Sequence, residues 1–105
     1  MKYYENTKIN FKQRVISLFK NEGWKYVGDI ENNILRFRLP TYGYTRIVKV
    51  RPHGRLKKSE WKHLTRLGIK EKCHVLFVHE TQDHELSFLR VYPIFKHGKK
   101  NENNR

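Results

Sequence analysis

"RIVKVRPHGRLKKSEWKHLTRLGIKEKCHVLFVHE", residues 46–80, holds a strand, a helix and a second strand in succession. "RIVKVR" alternates with the two-residue period of a strand, Val48 and Val50 facing one way and Ile47, Lys49 and Arg51 the other. "PHGR" reads as a turn. Ser59 is placed to cap a helix over "EWKHLTRLGIKEK", where Trp61, Leu64 and Leu67 form an apolar stripe and Lys62, Arg66 and Lys70 a basic side. Gly68 is expected to weaken that helix or end it early. "CHVLFVHE" has an unbroken apolar centre, Val75 to Val78, as in a strand covered on both faces.

Upstream, residues 8–22 carry Phe11, Val15, Leu18 and Phe19 at helical spacing, with Asn6 or Thr7 as the cap and Gly23 as a left-handed stop. A short strand, Trp24 to Val27, and a polar turn follow. "ILRFRL" alternates again, with Leu35, Phe37 and Leu39 opposed to Arg36 and Arg38. "PTYGYT" is a turn. Downstream, "TQDH" turns the chain into a last strand, "ELSFLRVYPIF", antiparallel to its predecessor and stopped by Pro93. The expected fold is α/β (α+β): a mixed sheet of four to five strands flanked by two helices, in the order α-β-β-β-α-β-β. Residues 1–95 form one domain, and residues 96–105 are expected to be a disordered basic tail.

Pairing Pro40 with Thr45 across a four-residue turn sets Phe37 opposite Val48 and Leu35 opposite Val50. Arg36 then meets Lys49, with Arg38 and Arg51 nearby on the same face. Like charges directly opposite destabilise a sheet by about 0.2–1 kcal/mol, so a sheet built for its own stability has no use for this arrangement.

The 105 residues include 23 Lys and Arg against 10 Asp and Glu, for a net charge of +13. Such an excess repels itself in the compact state, and a polyanion relieves it. Ordinary soluble surfaces intersperse both signs, with a net charge of about 2 to 8 for a small domain. DNA is therefore the expected partner, with RNA kept as an alternative. A membrane partner is not expected, because the apolar residues follow core-like patterns and no run approaches a membrane span. The single cysteine, Cys73, allows no internal disulfide, and "MKYYENTKIN" lacks the apolar core of a signal peptide. An intracellular, cytoplasmic location is the expectation.

From Phe11 to Tyr92 the pattern resembles the PD-(D/E)XK (restriction-endonuclease-like) nuclease superfamily, which includes archaeal Holliday-junction resolvases and VRR-type nuclease domains. There a strand of the form hhEhK (h apolar) leads through a Gly-containing turn into a helix that often begins near a Ser, which "KSEWKHL" matches, and then an apolar strand. The resemblance implies Mg²⁺ held by carboxylates, since a hard cation takes oxygen ligands. Matched onto this chain, the acidic position falls on Lys49 and the lysine position on Arg51. The acid of the preceding strand falls near Asn33, Ile34 or Leu35, and a helix-one glutamate near Lys12. The implied reading is a nuclease-like scaffold that has lost its metal chemistry and kept its attraction for phosphate. No catalytic residue, metal ligand or cofactor is then expected. Arg36, Arg38, Lys49 and Arg51 would form a phosphate-contacting wall, extended by His53, Arg55, Lys57, Lys58 and Lys62. The competing reading is an edge hairpin kept basic against aggregation.

A live nuclease would need displaced acids, for which Asp29 and Glu31, or Glu80, Asp83 and Glu85, are the candidates, with Mg²⁺ as cofactor. His74, His79, His84 and Cys73 lack the paired spacing of a zinc site, and neither His53 nor His63 has an identifiable partner as a general base. Tyr42 and Tyr44 flank Gly43 at the hairpin tip, set either to stack on exposed bases or to pack on Pro40. Trp24 and Trp61 are expected in the core. Exposed strand edges leave a homodimer, or docking onto another protein, open.

Overall fold

A computed structural model describes residues 11–92. The expected start of the first helix with its Asn6 or Thr7 cap, the expected end of the last strand from Pro93 on and the expected disordered tail lie outside the described residues. Helix α1 (Phe11–Asn21) buries Val15, Ile16 and Phe19. It stops as expected at Gly23, whose φ of +95° is open to glycine at little cost. The Gly23 N–H donates to the Lys20 carbonyl at 3.0 Å and the Trp24 N–H to that of Phe19 at 2.9 Å, satisfying the last turn.

Five strands follow: β1 (Lys25–Glu31), β2 (Ile34–Leu39), β3 (Tyr44–Val50), and, after helix α2 (Lys58–Glu71), β4 (His74–Glu80) and β5 (Leu86–Val91). They form one mixed sheet in the order β1-β2-β3-β4-β5. Only β3 and β4 are parallel, because α2 carries the chain back between them. The α-β-β-β-α-β-β order and the two flanking helices are those expected.

Alternation splits the core in two. Leu35, Phe37, Val48, Val50 and Val78 meet α1 on one face. Ile34, Ile47, Val75, Phe77 and Val91 surround Leu64 of α2 on the other. Phe19 stacks on Phe37 with ring centroids 4.5 Å apart.

The β2–β3 register differs from the expected one. Leu39 pairs with Tyr44, Leu35 with Val48, Arg36 with Ile47 and Ile34 with Lys49. The four-residue loop is Pro40–Gly43, one position earlier than expected. Gly43 at φ +72° closes it, donating to the Leu39 carbonyl at 2.8 Å. Facing residues are thus displaced by two, an even number, so every side chain keeps its face while changing its partner. Arg36 does not oppose Lys49.

β1 is longer than the expected Trp24–Val27 strand, running through Gly28 and Asp29 with two register shifts. These bulges let one strand serve both layers. Asp29 reaches Lys12 of α1 at 2.7 Å, whereas Glu31 reaches His63 of α2.

Helix α2 corrects two further expectations. Lys57, not Ser59, is the N-cap, and its N–H donates to the Glu60 carboxylate at 2.8 Å. Gly68 does not end the helix. It lies buried against β4, where a Cβ would come within 2.9 Å of Val75 Cγ2 and 3.2 Å of the Cys73 carbonyl oxygen. The missing side chain lets helix and strand approach. Lys72 then takes the left-handed conformation (φ 57°, ψ 47°) that ends α2, at a position where glycine is the usual choice.

Gly68→Ala should therefore destabilise the fold. Overpacking costs about 1–3 kcal/mol, and the helix-propensity gain of about 1 kcal/mol offsets only part of it. A raised denaturation midpoint would show that the close approach is not a constraint.

Candidate nucleic-acid interface

The face of the sheet under α2 carries Arg36, Arg38, Lys49 and Arg51, but these are not four free cations. Arg36 pairs with Glu71, at the end of α2, at 3.1 Å. Arg51 makes a two-pronged pair with Glu60 in the first turn of α2 and donates to the Arg55 carbonyl at 2.7 Å. Both arginines fasten the helix to the sheet. The like-charge apposition expected between β2 and β3 occurs instead between β2 and β1, where Arg38 lies opposite Lys25. Both line a hollow of about 480 Å³ below the hairpin tip.

Lys49 opens into a cleft of about 340 Å³, lined also by Glu31, Ser59, Glu60 and His63. This cleft mixes charges, contrary to the purely cationic wall expected here. His63 Nε2 lies 2.8 and 2.9 Å from the two carboxylate oxygens of Glu31. Arg51 and the Lys57 N–H, with Lys49 nearby, hold the Glu60 carboxyl down at about 2 against its ordinary 4.5. Among the described residues, no three His, Cys, Asp or Glu side chains gather as a metal site. Asp29 is drawn away to Lys12 and Tyr26, and Glu80 to Arg14, at 2.9 Å. Sequence reasoning identified Glu31 as a displaced acid but missed Glu60, whose only local signal is its spacing of three from the cap.

The larger positive surface is the outer side of α2. Lys58, Lys62, Arg66 and Lys70 recur at every fourth residue, and all four are exposed. Leu64 and Gly68 face inward. None of the four lies within ion-pair distance of a carboxylate among the described residues. His53, Arg55 and Lys57, all exposed, continue this surface through the preceding loop. Lys58 and Lys62 belong to the expected site, and Arg66 and Lys70 complete the row.

At the hairpin tip Tyr42 and Tyr44 stack on each other, with centroids 5.5 Å apart and planes 20° from parallel. Trp24 and Trp61 sit half-buried against the two cores, as expected. At the far edge β5 exposes Phe88 and Leu89. No described helix is long and apolar enough to cross a membrane.

Comparison with protein-family models and with curated proteins finds no match for the chain.

Because Glu60 ionises more readily in the fold than in the unfolded chain, its pairing stabilises the protein fully above about pH 4.5 and ceases to as pH falls through about 2. Glu60→Gln should cost about 1–3 kcal/mol at neutral pH, and its deficit against wild type should shrink across that acidic window. Denaturant titrations at several pH values read this directly; a pH-independent deficit would remove ionisation as the cause.

Proposed function

We propose that this protein binds duplex DNA through its phosphates and does not cut it. The row of Lys58, Lys62, Arg66 and Lys70 carries the proposal. Like charges four residues apart destabilise a helix by about 0.2–0.5 kcal/mol per pair, and no described carboxylate relieves these. A polyanion does. At a rise of about 6 Å per step, the row is a regular array that winds gently about the helix axis. Phosphate contacts supply affinity and orientation but no sequence information. The exposed loop cations Arg55 and Lys57, together with Lys25 and Arg38, extend the same positive field, with His53 exposed beside them. The element order agrees with the one the nuclease resemblance implies, which supports the reading of a nuclease-like scaffold.

The absence of cleavage follows from the occupants of the strand after the first hairpin. Lys49 and Arg51 stand where the resemblance puts an acid and a lysine, and cations there repel a divalent metal. One observation favours a second reading, Mg²⁺-dependent cleavage: Glu31 and Glu60 line the same cleft as Lys49. Against it, each carboxylate already has a partner, Glu31 the His63 imidazole and Glu60 the Arg51 guanidinium.

Titrating a labelled duplex at several salt concentrations should give log affinity falling linearly with log salt, with a slope near about −5 for about six phosphate contacts. Lys62→Ala combined with Arg66→Ala should weaken unrelated duplexes alike and flatten the slope by about 2. Affinity indifferent to salt would end the phosphate model, and tighter binding to RNA of equal length would redirect it. Incubation with Mg²⁺ or Mn²⁺ should leave the DNA intact; cleavage abolished by Glu60→Gln would establish the second reading.

A further inference from the structure

We propose that the hairpin tip and the groove beside it hold an unpaired base, so that the preferred ligand is a duplex with a single-stranded extension. This inference rests on the phosphate-binding reading for the duplex portion.

Tyr42 and Tyr44 are 67% and 61% exposed, the most exposed large apolar side chains of the described fold. They belong to neither core, and their rings stack on each other. A groove of about 600 Å³ at the end of the sheet is lined by Tyr44 and Arg46, neighbours on one face of β3, with Trp24, Lys72 and His74. The Arg46 guanidinium lies over the Trp24 ring, 4.7 Å from its centre, and its Nε is buried without a hydrogen-bond partner. Trp24 is itself braced edge-on by Phe19, so this part of the lining is rigid. His74 is contacted by Arg90, and burial together with Arg90 and Arg46 pushes its pKa down. The groove's single carboxylate, Glu71, is already paired with Arg36. Flat aromatic faces beside unneutralised cations are what a nucleotide recognises: a ring to stack on and a charge for its phosphate.

Position makes the link to the duplex. The basic row of α2 ends at Lys70, and two residues later Lys72 lies in the groove. A duplex following the row delivers its end to the tip, where base pairing must give way for a ring to enter. The tyrosine pair opens to admit the base, exchanging one stacked partner for another.

The test compares three labelled DNAs of equal duplex length: blunt, with a five-nucleotide extension, and with the same extension lacking its bases. Wild type should bind the extended duplex about tenfold tighter than the blunt one, and the base-free extension should restore little of that gain. Tyr42→Ala with Tyr44→Ala should abolish the gain and leave blunt-duplex affinity unchanged, with thermal melts confirming the fold. Equal affinity for blunt and extended DNA overturns the inference and leaves duplex binding standing. A base-free extension as good as the full one also overturns it, because charge alone then accounts for the gain. Tight binding to the extended duplex, with none to the blunt or base-free one, supports the groove and refutes the duplex reading.

Discussion

Helix α2 is fastened to the sheet at three points, and the distribution of charge depends on that fastening. Gly68 lets its middle settle against β4, where a single added carbon would collide with Val75. Arg51 grips Glu60 at one end, and Arg36 grips Glu71 at the other. With both ends pinned, the rotation of the helix about its axis is fixed. Leu64 must face the sheet, so Lys58, Lys62, Arg66 and Lys70 must face away. A part-buried, two-pronged arginine–carboxylate pair combines direction with energy, which suits Arg51 to setting an orientation. The cost of a like-charged row is then borne by a helix whose stability comes mainly from tertiary packing rather than from its own propensity.

The same pins divide the cations by role. Two of the four beneath α2, Arg36 and Arg51, are consumed in holding the architecture, while those on its outer side are left to the solvent. A chain with a net charge of +13 can thus devote arginines to internal cohesion and still present a strongly positive exterior. At the Lys49 cleft the two roles meet: Lys49 lines it beside Glu31 and Glu60, and Glu60 is taken up by Arg51.

Much of the fold could be read from pattern. Strand alternation at 34–39 and 46–51 assigned Leu35, Phe37, Ile47, Val48 and Val50 to the correct faces, and Gly23 marked the end of α1. The unread parts all depend on distance across space. Nothing local separates pairing Leu35 with Val48 from pairing it with Val50, because a two-residue displacement preserves the faces. Gly28 and Asp29 look like turn residues, yet bulges absorb them into β1, since the strand must supply Asp29 to one layer and Glu31 to the other. Gly68 looks like a helix breaker until β4 lies against it. The site was legible to a similar depth. The basic side of α2 was visible as a spacing, but the engagement of Arg36 and Arg51 by Glu71 and Glu60 was not. Arg46 lies on β3, whereas Lys72 and His74 lie in the turn after α2 and at the start of β4, so no short sequence window contains the groove they share.

Lys72 bends the backbone where a side chain is unwelcome, and the chain keeps it there. A glycine would sit more comfortably and make a sturdier protein. It would also strip a positive group from the mouth of the aromatic groove, at the point where the helix hands over to the sheet. Durability and the proposed grip on a nucleotide are thus set against each other at one position, and a search for thermally hardened variants would be drawn to the change most apt to blunt that proposed recognition.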